Sequence, residues 1–150
     1  MHARVYEIES EKDFIKNEDL AYDLPEWWTD YYCDWYDEEE EESTKESIDW
    51  LAGVVDVEGD MVDFSGKEGK RRLKVAYEKM KEKAKEISEL SFEDFSGCAG
   101  LDKVHLLSRE VEDKYYHWFY VDGCDMCTLD EMLHRGGKFH LTGRTWDYHY

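Results

Sequence analysis

The sequence predicts an α+β fold, with an acidic and mainly helical N-terminal part, one long central helix, and a C-terminal β-hairpin followed by a short helix and a strand. Three observations lead to this prediction. Among 150 residues, 41% are hydrophobic and 15% aromatic, which is enough to form one core. Apolar residues from Lys67 to Leu90 recur at the spacing of an α-helix. Aromatic and β-branched residues are concentrated between Val104 and Val121, as is typical of strands.

The N-terminal part is predicted to contain two short strands and three short helices. Residues Arg4 to Ile8 alternate well enough for an opening strand. Ser10 begins a helix-capping pattern, and Pro25 suits the first turn of a second helix. Apolar spacing indicates a third helix within residues 43–54, and a strand follows at Met61 to Phe64, between two glycines.

The second of these helices is unusual because it carries a wide aromatic stripe. Its six aromatic residues recur every four positions in two rows, Trp27, Tyr31 and Trp35 in one and Trp28, Tyr32 and Tyr36 in the other. Carboxylates occupy the remaining sides of the helix. The stripe either faces the core or is partly exposed and contacts a partner, since Trp and Tyr commonly anchor interfaces.

The central helix is predicted from Lys67 to Leu90. Its buried stripe is expected to consist of Leu73, Ala76, Tyr77, Met80, Ala84 and Ile87. Lysine and arginine alternate with glutamate on the other faces, which suits contact with nucleic acid or with the acidic part of the same chain. We favour the acidic part of the same chain.

The C-terminal part is predicted as a hairpin, a helix and a strand. Val104–Val111 and Tyr115–Val121 are the two hairpin strands, with a charged turn between them. Thr128 begins a capping box, so a helix is expected from Leu129 to Arg135. Two glycines end it, and a final strand is expected from Lys138 to Thr142.

Negative charge is concentrated in the first part of the chain, which as a whole has a net charge of −19. Residues 1–63 hold 22 Asp and Glu against 4 Lys and Arg, whereas residues 64–150 hold 16 against 15. We therefore expect one domain over residues 1–150, with an acidic half and a near-neutral half. The negative electrostatic field of the acidic half favours a basic partner and disfavours direct binding to nucleic acid or to an anionic membrane.

No membrane segment or export signal is expected. No apolar run approaches the roughly 18 residues that span a bilayer, and the first residues lack the apolar region of a signal peptide. A cytoplasmic location is therefore predicted, with the four cysteines reduced or bound to a metal rather than joined in disulfides.

Three cysteines are predicted to form part of a zinc knuckle in the C-terminal part. Cys124 and Cys127 are separated by two residues, and a hairpin whose turn lies near residue 112 brings Cys98 opposite residue 126. A two-residue knuckle with ligands from neighbouring elements is a common structural site for Zn²⁺. The fourth ligand is expected to be His134, with alternatives at His140, His105 and Cys33.

Two other interpretations of the cysteines stay open. A strand followed by CxxC and a helix is also the layout of a thiol redox motif, and the cysteines can equally be plain reduced thiols. A closed four-ligand zinc site stabilises a fold and leaves no open position to activate water. Because the sequence contains no interpretable Ser-His-Asp set, phosphate-binding loop or HExxH motif, it indicates a protein that is not an enzyme.

The charge and the aromatic stripe together suggest a protein-binding inhibitor. Carboxylates spaced along a helix and loop can occupy a basic groove that normally holds DNA or RNA, and aromatic side chains can supply an apolar anchor. The run of five glutamates is expected to be a solvated loop or a frayed helix end. The predicted contact residues are Trp27, Asp30, Tyr31, Asp34, Trp35, Asp37, Glu38, Glu39, Glu40, Glu41 and Glu42.

The stretch from Trp27 to Glu42, WWTDYYCDWYDEEEEE, together with the small size of the chain, resembles the small acidic anti-CRISPR and anti-restriction proteins of phages and other mobile elements. The resemblance implies a DNA mimic acting in the cytoplasm of a bacterial host cell. Its target would be a nuclease effector of the Cas9 kind, obstructed at the guide- or target-binding channel. The alternatives are an acidic zinc-stabilised adaptor unrelated to defence and a thiol or zinc enzyme.

Overall fold

The computed structural model describes residues 2–12, 23–97 and 116–149 of the chain. These residues form seven strands and five helices. In chain order they are β1 (His2–Glu9), α1 (Glu26–Tyr32), β2 (Trp35–Glu38), α2 (Glu41–Leu51), β3 (Asp56–Glu58), β4 (Met61–Asp63), α3 (Lys67–Ser88), α4 (Phe92–Ser96), β5 (His117–Val121), β6 (Asp125–Thr128), α5 (Leu129–Arg135) and β7 (Lys138–His149). The chain clusters into two compact units, Met1–Lys70 with Asp113–Tyr150, and Arg71–Glu112.

The seven strands form one mixed sheet. Six of them follow the order β3-β4-β7-β1-β5-β6, and the seventh, β2, pairs with β7. β1 and β5 run parallel, and every other neighbouring pair is antiparallel. β7 pairs with β1 along one edge, and its other edge is shared by β4 at residues 138–140 and by β2 at residues 146–149. The last strand therefore holds three N-terminal strands in the sheet.

β7 bulges around residues 142–144, where its register against β1 shifts. Gly143 lies in this bulge with φ of 89°, a conformation that glycine adopts without steric cost. Bulges commonly redirect a side chain. Here the Arg144 side chain reaches Glu38, with Nε 2.8 Å from Oε1, and Glu7, with a guanidinium nitrogen 3.4 Å from Oε1.

Trp28 of α1 packs against one face of the sheet, here called the first face. Its ring is fully buried, and its centroid lies 5.3 Å from that of Trp118 and 5.1 Å from that of Tyr148, both edge to face. Such aromatic pairs add about 0.5–1.5 kcal/mol each beyond the burial of the rings. The other buried members of this cluster are Ala3, Val5, Leu24, Tyr120 and Trp146.

The second face of the sheet carries a separate set of buried rings. The Phe64 ring centroid lies 4.9 Å from that of Phe119 and 5.9 Å from that of Phe139. Tyr6 of β1 stacks on Phe119 at 5.6 Å, and its hydroxyl donates to the Ser47 carbonyl of α2 at 2.9 Å. The buried side of α5 consists of Leu129, Met132 and Leu133. Because both faces carry buried rings, β1 and β5 are buried almost throughout.

The prediction of a mainly helical N-terminal part is wrong. Residues 1–63 contribute four of the seven strands, β1 to β4, and two helices among the residues that the structure describes. β2 has four residues and β3 has three, which is too short for alternation to stand out in a sequence. β2 exists because β7, from the other end of the chain, supplies its backbone partners.

The aromatic helix is also shorter than predicted. α1 ends at Tyr32, and Cys33 is extended, with φ of −120° and ψ of 127°. Trp35 and Tyr36 lie in β2 instead, where strand alternation sends their side chains to opposite faces. The four-residue recurrence of aromatic residues therefore continues across the junction between a helix and a strand.

Several predicted elements are confirmed. α3 begins at the predicted Lys67 and ends at Ser88. α5 spans the predicted residues, and Thr128 and Glu131 form the complete capping box. β1, β4 and the beginning of β7 also lie where the sequence placed them, but β7 continues to His149.

The predicted C-terminal hairpin is matched only in part. β5 falls within the second predicted strand, but its antiparallel partner in the described residues is β6. The first hairpin strand, Val104–Val111, lies outside the described residues, as does most of the helix predicted after Ser10.

The predicted buried stripe of α3 is buried less than expected. Leu73, Ala76 and Ile87 are half-buried. The exposed members of the stripe are Tyr77, Met80 and Ala84. In this helix a 3.6-residue period thus marks a face that is only partly removed from solvent.

Replacing Trp28 by alanine is expected to lower the free energy of unfolding by about 3–5 kcal/mol, because it removes a buried ring from the aromatic cluster. The neighbouring Trp27→Ala is the matched control, and an exposed site of this kind is expected to change stability by no more than about 0.5 kcal/mol. Urea unfolding followed by circular dichroism measures both. Equal losses in the two variants would contradict the assignment of Trp28 to the core.

Candidate interaction surface

α1, β2 and the start of α2 follow one another along the chain and display exposed carboxylates and aromatic rings, here together called the acidic–aromatic surface. Its aromatic members are Trp27, Tyr31 and Trp35, whose side chains are 56%, 86% and 51% exposed. The exposed carboxylates of this surface are Asp30, Asp34, Asp37, Glu40, Glu41 and Glu42.

The helical geometry of α1 explains why these rings are exposed. Residues four positions apart share one side of a helix, so Tyr31 follows Trp27 on the side away from the sheet. Trp28 lies about 100° further around the helix and is fully buried. The aromatic stripe is therefore divided: Trp28 belongs to the core, Tyr32 packs against it but is 40% exposed, and Trp27 and Tyr31 face solvent. Trp35 is presented by β2, whose backbone is fixed by β7.

The charge of this surface is hardly compensated by the chain itself. Within the described ranges, its only ion pair joins Asp34 Oδ2 to His149 Nδ1 at 4.0 Å. Glu38, at the rim, is paired with Arg144 through contacts of 2.8 and 3.1 Å. The hydrogen bond from Arg144 lowers the pKa of the Glu38 carboxyl. Glu38 is thus already engaged, whereas its exposed neighbours are available to a partner.

Glu39 differs from the other four glutamates of the run, because its side chain is only 6% exposed. Its carboxylate accepts hydrogen bonds from Ser47 Oγ at 2.6 Å and from Thr145 Oγ1 at 2.7 Å. Arg4 Nε lies 3.1 Å from Glu39 Oε1, and the same guanidinium pairs with Asp147. This network joins α2 to β1 and β7. Five identical residues in a row contain no signal that singles out the buried one.

Glu7 is a second buried carboxylate that the sequence analysis missed. One oxygen accepts a hydrogen bond from Thr142 Oγ1 at 2.7 Å, and the other lies 3.4 Å from Arg144. Burial raises the pKa of the Glu7 carboxyl above its ordinary 4.5, although Thr142 and Arg144 oppose the shift. Its position in β1, between apolar residues, is the only sequence signal that it faces the interior.

The residues predicted to bind zinc are not brought together in the described part of the chain. Cys124 lies in the turn after β5, Cys127 in β6, and Cys98 outside the described residues. His134 is mostly exposed, with Nδ1 2.9 Å from the Asp130 carbonyl oxygen. Across the described ranges, no three His, Cys, Asp or Glu side chains are placed to hold a metal ion. The described residues therefore do not show the zinc knuckle, and Cys98, one of its predicted ligands, lies outside them.

The alternative zinc ligands are also separated. His140 lies in β7, with Nδ1 3.8 Å from Asp60, and Cys33 follows α1. His105 lies outside the described residues.

The thiols of the CxxC segment do not have the character of activated redox cysteines. Burial raises the pKa of the Cys124 thiol, and nearby Asp125 and Asp122 add to the shift. Burial also raises the pKa of Cys127, with a further contribution from Glu131. Redox cysteines need a lowered pKa, because the thiolate is the nucleophile. The surroundings of this CxxC favour the neutral thiol.

Comparisons of the chain with protein-family models, with curated proteins and with solved structures found no match. None of the helices in the described residues is both long and apolar enough to cross a membrane.

Glu39→Ala is expected to lower the free energy of unfolding by about 1–3 kcal/mol, because it removes the buried carboxylate that accepts from Ser47 and Thr145 and pairs with Arg4. The adjacent and exposed Glu40→Ala is the control, with an expected change within about 0.5 kcal/mol. Chemical denaturation at neutral pH measures both variants. A similar small effect at the two positions would show that the network contributes little.

The stability of Glu7→Gln relative to the natural chain is expected to depend on pH. Since the folded-state pKa of Glu7 is raised above 4.5, its favourable contribution is fully present below pH 4.5 and is lost as pH rises through the folded-state value. The Gln variant should therefore gain relative stability between about pH 4 and about pH 7. Urea unfolding across this range tests the sign, with Glu41→Gln as an exposed control. A relative loss of stability with rising pH would contradict it.

Proposed function

We propose that this protein binds the basic nucleic-acid-binding region of a bacterial effector nuclease and blocks it by imitating the nucleic-acid backbone. The observation that carries the proposal is the acidic–aromatic surface, where six exposed carboxylates accompany three rings that are at least half exposed. Exposed carboxylates and exposed aromatic rings are complementary to a basic groove on a protein, whereas a small-molecule site is usually an enclosed and mainly apolar pocket.

Charge supplies the attraction in this proposal. The first 63 residues carry 22 acidic against 4 basic side chains, and the exposed carboxylates have almost no cationic partner in the described ranges. A partner with a nucleic-acid groove holds lysines and arginines surrounded by counterions. Occupying the groove releases ions, so the affinity is expected to fall steeply as salt is added.

Aromatic rings supply the anchor that charge alone lacks. Trp and Tyr are enriched among the few residues that dominate binding energy in protein interfaces. Trp27 and Tyr31 are held in place because Trp28, on the same short helix, is fixed in the core. A surface that is rigid before binding loses less conformational freedom when it binds.

The kind of target is suggested by the resemblance of residues 27–42 to small acidic inhibitors of bacterial defence. A nuclease effector of the Cas9 kind is therefore the first target to test, with and without its guide RNA. Competition between the protein and the guide or target strand is the expected mode of inhibition.

The test reverses charge on the proposed surface and, as a control, elsewhere. Asp37→Lys, Glu41→Lys and Glu42→Lys together are expected to weaken nuclease binding at least about tenfold, because they remove contacts to the basic groove. Glu78→Lys, Glu82→Lys and Glu86→Lys on α3 change the net charge equally and should have a much smaller effect. Binding is measured by biolayer interferometry from about 50 to about 200 mM salt, over which the natural chain should lose at least about tenfold in affinity.

Three outcomes would count against the proposal. Equal weakening by the two triple variants would mean that only net charge matters. Binding that does not respond to salt, or no binding to the nuclease in either state, would rule out backbone mimicry of this target. Circular dichroism verifies that each variant is folded.

A further inference from the structure

An open cavity of about 440 Å³ lies within the acidic–aromatic surface, between the end of α1 and β2. Its lining consists of Thr29, Asp30, Cys33, Asp34, Trp35 and Tyr36. Both aspartates are exposed, and the side chain of Asp34 is 81% exposed. The lining thus includes two aspartates and Trp35, which is 51% exposed.

The residues that line the cavity suit the binding of a ligand rather than covalent catalysis. Its one nucleophile is Cys33, and burial together with Asp34 raises the pKa of this thiol to about 12. A thiol with such a pKa stays protonated near neutral pH and is neither a nucleophile nor a ready metal ligand. What remains for a ligand is negative charge and an aromatic surface.

The chain itself contains the interaction that such a cavity invites. Elsewhere on the sheet, the Arg144 guanidinium carbon lies 4.7 Å from the centroid of the Trp146 ring while the same group pairs with Glu38. Carboxylate and indole therefore hold one guanidinium together within this fold. Asp30, Asp34 and Trp35 offer the same two components, and in the described residues the chain itself sets only His149 against them, with Nδ1 4.0 Å from Asp34 Oδ2.

We infer that the cavity receives an arginine side chain from the protein partner, with its guanidinium against Trp35 and its charge opposite Asp30 and Asp34. The inference rests on the proposed function and adds the residue type that the surface selects. Arginine suits the site better than lysine because its guanidinium is planar, weakly hydrated and able to stack on an indole while forking to carboxylates. Lysine can also lie over a ring, as Lys81 does 5.2 Å from the Tyr77 centroid, but it lacks the planar fork that stacks on the indole while reaching two carboxylates.

The test compares two peptides of equal length and charge, hexa-arginine and hexa-lysine, by isothermal titration calorimetry with the full chain. Hexa-arginine is expected to bind about fivefold or more tightly than hexa-lysine. Trp35→Ala should reduce this preference to near unity, whereas Trp50→Ala, which removes an indole of α2 that is 42% exposed and not part of the acidic–aromatic surface, should leave it unchanged. Asp30→Asn with Asp34→Asn should weaken hexa-arginine more than Asp37→Asn with Glu40→Gln does.

The aspartate pair keeps the inference testable if Trp35→Ala does not fold, since it leaves the ring in place. Equal binding of the two peptides, no binding of either, or equal effects at Trp35 and Trp50 would each overturn the arginine cavity. None of these results would affect salt-dependent binding to the nuclease, so the proposed function would stand even if the arginine cavity were disproved. Conversely, a salt-independent nuclease interaction would overturn the proposed function even if the peptides are distinguished.

Discussion

The pairing of β7 on both of its edges is the constraint on which the sheet depends. One edge accepts β1, and the other accepts β2 and β4, so three strands from the first part of the chain join the sheet through β7. β1 also pairs with β5 and β4 with β3, whereas β7 is the one strand that pairs with β2 in the described residues. These contacts join residues that are far apart in sequence, which makes their formation slow compared with helix formation. The acidic half is therefore ordered by the near-neutral half rather than by its own propensities.

Two arginines, one from each half of the chain, pair with the buried carboxylates Glu39 and Glu7. Arg4 holds Glu39 and Asp147 on the second face, while Arg144, from β7, holds Glu7 and Glu38. Charge pairing is concentrated around β1 and β7, and the outer carboxylates keep their negative field. The same acidic composition thus supplies two kinds of carboxylate. Buried carboxylates pair with arginine inside the fold, and exposed carboxylates give the surface its negative electrostatic potential.

Local signals allowed parts of this fold to be predicted, and non-local contacts account for what was missed. α3 has a long helical period, and α5 has a capping box and terminal glycines, so both could be placed from nearby residues. β2 and β3 are too short to show a period, and their neighbours in the sheet are set by tertiary pairing. For the candidate surface, the sequence identified its composition, but the exposure of Trp27, the burial of Trp28 and the special position of Glu39 depend on which side of each element meets the sheet.

The neighbours of Trp35 in the sheet have a practical consequence for how the protein is handled. Trp35 pairs with His149 of β7, and His149 pairs with His2 of β1, so three residues from distant parts of the sequence form one short row across the sheet. An affinity tag or fluorescent fusion attached beyond His2 or His149 would therefore begin close to Trp35 and the cavity that it lines. A label inserted at the exposed β3–β4 turn, where Gly59 has a positive φ, lies on another pair of strands and leaves that row untouched.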